Sequence, residues 1–74
     1  MADTALDFTG LKCPLPVLKA RRALKQMAVG DEVVIIADDP ASPLDFKHYC
    51  DTSGNQLIEQ INQNEQFSFR IRKS

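Results

Sequence analysis

The spacing of apolar residues changes several times along the chain, and each spacing predicts a different element. Residues Ala5 to Phe8 alternate, with Leu6 and Phe8 on either side of Asp7, as expected for a short half-buried strand. Between Pro14 and Met27 the apolar residues recur every three or four positions, which predicts an amphipathic helix. The residues of its buried face are Val17, Ala20, Leu24 and Met27.

The middle of the chain repeats this order of strand and helix. Glu32 to Ala37 is a nearly continuous apolar run rich in β-branched residues, which predicts a central strand. A second helix begins where Ser42 can cap it, with Pro43 at the first helical position and Asp45 three residues beyond the cap. Its predicted buried face consists of Phe46, Tyr49, Cys50 and Ser53, and Gly54 ends the helix.

The last third of the chain predicts a hairpin. Gln56 to Asn62 forms an imperfect third strand that contains Leu57, Ile58 and Ile61. Residues 63–65 make the turn, and Gln66 to Arg72 alternates strictly between apolar and polar positions.

These elements predict an α+β two-layer sandwich of order β-α-β-α-β-β. A four-stranded mixed sheet would carry both helices on one face. The first two strands, joined by a helix within few residues, require a right-handed crossover and are therefore parallel. With 74 residues and no linker, repeat or low-complexity segment, we expect residues 1–74 to form a single domain.

The strongest chemical signal is the Cys-Pro-x-Pro motif that opens the first helix. Proline is well tolerated only in a helix's first turn, so Cys13 is predicted at the cap and Pro14 at the first helical position. The free amides of Leu15 and Val17 would then point towards the sulfur together with the positive end of the helix dipole. The predicted supporting tip consists of Lys12, Pro14, Leu15, Pro16 and Val17.

This placement predicts an exposed, nucleophilic Cys13 whose pKa is moderately lowered. The helix dipole and Lys12 would lower the pKa, whereas Asp38 and Asp39, which the parallel crossover brings to the same edge, would raise it. Two other interpretations stay open: Cys13 as a small structural residue, and the acidic pair as an ordinary polar turn before Pro40.

Apolar and basic residues around the cysteine predict a surface for docking a partner. Its residues are Leu15, Leu18, Arg21, Arg22 and Lys25, with Asp39 of the following loop. The charge pattern alone is equally consistent with a solvated helix face. His48 is interpreted as a solvated helix residue, because no further ligand-type residue accompanies it at metal-site spacing.

The two cysteines and the overall charge narrow the function classes further. Cys50 falls on a buried helix face, so no disulfide with Cys13 is expected and a reducing compartment suits both thiols. A net charge of -1 and a pI of 5.6 argue against direct nucleic-acid binding. Without a leader pattern or an apolar run of membrane-spanning length, we expect a cytoplasmic protein without membrane association. No cofactor or metal site is predicted.

Together these residues resemble the TusA/SirA-like sulfur carrier proteins over nearly the whole chain. The shared features are the Gly10–Pro16 segment with its Cys-Pro-x-Pro motif, the Asp38–Ala41 turn, Asp45 with Phe46, Cys50 and the closing alternating strand. The resemblance implies a fold like the C-terminal domain of translation initiation factor three, with the last strand antiparallel beside the second.

The resemblance also implies a function for Cys13. It would accept sulfane sulfur as a persulfide from a cysteine desulfurase or a rhodanese-type donor and pass it to an acceptor protein of a sulfur relay. The best-known route ends in 2-thiouridine in tRNA, and others serve sulfur oxidation or other sulfur and selenium metabolism. We expect a monomeric carrier without turnover of its own. The alternatives are a small-molecule thiol enzyme and a regulatory or RNA-binding module.

Overall fold

The structure, a computed structural model, describes residues 4–74, in which two helices pack on one face of a four-stranded sheet. In chain order the elements are β1 (Thr4–Asp7), α1 (Leu15–Lys25), β2 (Glu32–Ala37), α2 (Ser42–Ser53), β3 (Gln56–Gln63) and β4 (Gln66–Arg72). The predicted element order and the predicted α+β class are confirmed. No helix in this part of the chain is long and apolar enough to cross a bilayer.

The sheet has the strand order β1-β2-β4-β3. β1 and β2 are parallel, as the crossover argument predicts, whereas β4 pairs antiparallel with both β2 and β3. Because β1 and β2 run in the same direction, the loops that follow them, residues 8–14 and 38–41, leave the sheet at the same edge. This edge carries the cysteine motif.

Alternate residues of the two central strands form the sheet side of the core. Val33 pairs with Ile71 and Ile35 with Phe69, and all four side chains are buried. The helices contribute apolar side chains to the same cluster, and the Phe46 ring stacks on Phe69 with 4.6 Å between ring centroids. The buried residues of the helices are Pro16, Ala20, Leu24, Ser42, Phe46 and Cys50. The predicted three-to-four spacing of buried residues in the helices and the predicted alternation of β4 are thereby confirmed.

Several predicted boundaries and burial assignments are wrong by one position or one turn. β1 begins and ends one residue early, although the Phe8 amide still donates to the Ile36 carbonyl at 2.7 Å. α2 is capped by Ala41 rather than Ser42, which is buried at its first position with no hydrogen-bond partner for Oγ within residues 4–74. Ser53, predicted on the buried face, is exposed because it lies at the last turn, beyond the sheet-facing stripe.

Two turns depend on left-handed backbone conformations. Gly54 ends α2 with φ +84°, and its amide donates to the Cys50 carbonyl at 3.0 Å. Asn64 and Glu65 both have positive φ, the geometry of a two-residue hairpin turn, and they join β3 to β4. The predicted hairpin is confirmed, with β3 one residue longer than expected.

Candidate functional site

Cys13 lies in the loop between β1 and α1, and its side chain is exposed. The loop leaves the sheet through Gly10, whose φ of +84° belongs to the region that glycine adopts without strain. The Cys13–Pro14 peptide bond is cis. The thiol is thus presented at the sheet edge where the loops after β1 and β2 meet.

The acidic pair after β2, Asp38 and Asp39, fixes the loop that carries Cys13 by accepting hydrogen bonds from backbone amides of that loop. Asp38 Oδ1 accepts a hydrogen bond from the Gly10 amide at 3.0 Å, and Asp39 Oδ2 accepts one from the Cys13 amide at 2.8 Å. The second oxygen of Asp39 accepts the Ala41 amide at 2.8 Å, so one carboxylate joins both loops. These two amides and Lys12 lower the pKa of Asp39. The predicted approach of both aspartates to the loop of the cysteine is confirmed, and the polar-turn interpretation is correct in part, because Asp39 also accepts an amide of its own turn.

The predicted helix tip is wrong in its register. Pro14, with φ −98° and ψ 17°, is the residue at the cap, and the helix begins at Leu15. The Leu15 amide donates to the Lys12 carbonyl at 2.8 Å instead of pointing freely towards the sulfur. The side chains of Pro16 and Val17 face the protein interior, since Pro16 is buried and Val17 packs on the core.

A groove of about 220 Å³ opens beside the thiol, between α1 and α2. Its α1 wall includes Val17, Leu18 and Arg21, and its α2 wall includes Asp45 and His48. The remaining lining residues are Cys13, Pro14, Tyr49 and Thr52. Cys13 therefore stands at the mouth of a cleft whose lining combines apolar side chains with the charged Arg21 and Asp45, large enough for a side chain of a partner.

The electrostatics of Cys13 contradict the predicted lowered pKa. The Asp45 carboxylate beside the thiol raises the pKa of Cys13 above its ordinary value, and partial desolvation and the charge of Asp39 raise it further. The effect of Asp39 has the predicted sign but is the smallest of these causes. The shift disfavours the thiolate form of the resting cysteine.

Cys50 has the structural role that its position in the helix pattern predicted. It is 6% exposed, belongs to the core cluster and forms no disulfide with Cys13. Burial, with a contribution from the charge of Asp51, raises its pKa to about 11. A thiol with these properties is a poor nucleophile at neutral pH.

The residues of the predicted docking surface differ in their exposure and in whether they line the groove. Leu15 and Leu18 are 45% and 50% exposed, large fractions for leucines so close to Cys13. Arg21, Arg22 and Lys25 are exposed on α1, and Arg21 alone of these three lines the groove. The carboxylate of Asp39 is occupied by two backbone amides, so its place in this structure is within the loop framework. That the exposed residues dock a partner stays a prediction.

Two residues of the site, Asp45 and His48, were not predicted as site residues from the sequence patterns. Asp45 was interpreted only as part of a helix start, and His48 as a solvated residue; His48 is exposed, but it lines the groove beside the thiol. The crossover argument contained the missing signal, because it also places the first turn of α2 at the edge that carries Cys13. Within residues 4–74 no three His, Cys, Asp or Glu side chains lie together as a metal site would require.

A comparison with known protein families shows to which family the chain belongs. The model of the family described as sulfurtransferase TusA matches residues 4–73. The chain belongs to the TusA family. It is 42% identical over 72 residues to the sulfur carrier protein TusA of Allochromatium vinosum, across 97% of this chain and 95% of that protein. The resemblance found from the cysteine motif is confirmed, and the relatives that this chain matches include a protein named as a sulfur carrier.

A solved structure confirms the fold of the family. The crystal structure of a SirA-like protein from Desulfitobacterium hafniense superposes with a TM-score of 0.80 at 25% sequence identity. The match covers 93% of this chain and 95% of that one. Two helices on a four-stranded mixed sheet are therefore the shared architecture.

Proposed function

We propose that Cys13 carries sulfane sulfur as a persulfide and relays it from a donor protein to an acceptor protein. The observation that supports this proposal is the contrast between an exposed thiol, held by two loops at a groove mouth, and a second thiol buried in the core. A carrier needs a sulfur atom that two different partners can reach. Cys13 has this accessibility, and Cys50 lacks it.

The transfer needs no oxidant or reductant. Cys13 Sγ attacks the terminal sulfur of a persulfide on the donor's cysteine, so a new sulfur–sulfur bond forms at Cys13 while the bond to the donor cysteine breaks. The thiol proton of Cys13 passes to the departing donor sulfur. Unloading repeats the exchange with the acceptor's cysteine as the attacking group. Cys13 returns to its starting state, so the protein is a relay carrier with no independent turnover.

The finer assignment of partners is part of this proposal. The donor in this proposal is a cysteine desulfurase or a rhodanese-type protein, and the acceptor is another sulfur-relay protein whose sulfur ends in 2-thiouridine of tRNA. The contact surface offered to these partners consists of Leu18 and Arg21, which line the groove, and the exposed Leu15 at the start of α1. The carrier would act as a monomeric single domain in the cytoplasm.

Intact-mass measurement after incubation with a cysteine desulfurase and cysteine tests the proposal. We expect the wild-type chain and Cys50→Ser to gain one sulfur atom each, and Cys13→Ser to gain none. Cys50→Ser is the matched control, since it removes the same group from the core. Loading of Cys13→Ser at the wild-type level would contradict the proposal.

A further inference from the structure

The α2 wall of the groove carries a carboxylate at the thiol. Asp45 lies in the first turn of α2, is half-buried, and lines the same cavity as Cys13. Its backbone is held in place because its amide donates to the Ala41 carbonyl at 3.0 Å. The side chain therefore approaches the thiol from a helix, which is a more rigid support than a loop.

The other charged and titratable groups around the thiol have different positions. Lys12 adjoins Cys13 in its own loop, Arg21 faces the groove from α1 and His48 faces it from α2. Asp39 approaches from the loop after β2, but its two oxygens already accept the Cys13 and Ala41 amides. Of these two carboxylates, Asp45 is the one that lines the groove together with the thiol, and its influence on the pKa of Cys13 is the larger.

We propose that Asp45 is a positioning residue that accepts a hydrogen bond from the empty Cys13 thiol, keeps it protonated, and so slows its reaction with small-molecule persulfides. This inference rests on the proposed role of Cys13 as the sulfur carrier. The raised pKa of Cys13 agrees with it, because a neighbouring carboxylate disfavours the thiolate. A docked partner that offers Asp45 another hydrogen-bond donor releases the thiol, so Asp45 favours protein donors over small molecules.

The direct test is a pH titration of thiolate absorbance in a Cys50→Ser background, where only Cys13 contributes. Asp45→Asn should lower the midpoint, because an amide carries no charge to oppose the thiolate. Asp45→Glu, which keeps a carboxylate, should retain more of the high midpoint. Asp51→Asn removes the same charge from an exposed position of the same helix and is the matched control, with an unchanged midpoint expected.

Reaction rates at neutral pH supply the second readout. A fall of one unit in the pKa raises the thiolate fraction about tenfold, while the weaker basicity lowers its intrinsic nucleophilicity about threefold. Asp45→Asn should therefore react about threefold faster with glutathione persulfide for each unit of fall. The rate of loading by a cysteine desulfurase should rise less, because the docked desulfurase has already freed the thiol from Asp45.

The outcomes separate this inference from the proposed function. An unchanged midpoint in Asp45→Asn, or an equal rise with glutathione persulfide and with the desulfurase, would overturn the role of Asp45 while leaving Cys13 as carrier. If instead the desulfurase loads no variant, the proposed carrier function fails, and the titration still measures the effect of Asp45 on the thiol. Circular dichroism of each variant establishes that the fold is intact.

Discussion

The two cysteines have raised pKa values for different physical reasons. Cys50 is removed from water in the core, where ionisation would leave a poorly solvated thiolate. Cys13 is exposed, and a neighbouring carboxylate holds its proton. Burial can be relieved only by unfolding, whereas the effect of a carboxylate can be cancelled by a partner or by one substitution. The comparison shows why only one thiol can be switched between a resting and a reactive state.

The surroundings of the two residues differ in the same way. Cys50 is fixed by the packing of α2 against the sheet. This packing includes the stacked rings of Phe46 and Phe69. Cys13 is fixed by hydrogen bonds from loop amides to Asp38 and Asp39. Damage to the first region should therefore unfold the chain, and damage to the second should loosen the loop while leaving the fold intact.

The largest expected effect is that of Phe46→Ala in the Cys50 region. Truncating a fully buried phenylalanine costs about 3–5 kcal/mol, which is comparable with the whole stability of a chain this small. We expect urea denaturation followed by circular dichroism to show a largely unfolded variant. Leu44→Ala on the same helix, 72% exposed, should change stability by less than ~0.5 kcal/mol. Equal effects of the two substitutions would refute the assigned core.

A smaller effect is expected from alkaline pH. The folded-state pKa of Cys50 is raised to about 11, whereas an unfolded cysteine titrates near ~8.5. Stability from this residue is complete below pH ~8.5 and is lost as the pH rises towards the folded-state value. After allowance for solvent screening, we expect a loss of about 1–2 kcal/mol.

Urea unfolding at successive pH values measures this loss. Cys50→Ala should be less stable at neutral pH but should lack the alkaline loss that comes from the thiol, whereas Cys13→Ala should retain it. Identical pH profiles for Cys50→Ala and the wild-type chain would show that the buried thiol does not ionise on unfolding as described.

The smallest effect on the fold is expected from Asp39→Asn in the Cys13 loop. An amide group offers one acceptor oxygen where the carboxylate has two, so the Cys13 and Ala41 amides can no longer both be satisfied. Hydrogen exchange followed by NMR should show several-fold faster exchange of the Cys13 amide, with core amides such as that of Ile35 unchanged. Unaltered exchange at Cys13 would mean that the loop is held by other contacts.

Local patterns were sufficient to predict the fold because both helices and the last strand have a clear period and the second strand is a continuous apolar run. The alternation of Phe69 and Ile71 and the β-branched run at Val33 to Ile36 determine which side chains face the helices, whatever the details of the loops. Helix starts were less predictable. Ser42 has the residue type of a cap, yet the chain buries it and begins the helix after Ala41.

The positions of the site residues were predictable only where a single structural feature determines them. The parallel crossover was enough to bring Asp38 and Asp39 to Cys13. The crossover also brings the first turn of α2 to this edge, but the groove that Asp45 shares with the thiol depends on how the two helices pack against each other, which no periodicity contains. For this reason the exposure of Cys13 was predicted and the direction of its pKa shift was not.

The central claim is that the two cysteines divide between carriage and packing, and mapping the sulfur in the wild-type chain tests it most directly. After loading by a cysteine desulfurase and trapping by alkylation, trypsin separates the thiols, because residues 13–19 and 48–70 form different peptides. We expect the additional sulfur atom on the peptide that contains Cys13 and none on the peptide that contains Cys50. Sulfur found mainly on the Cys50 peptide would contradict the account.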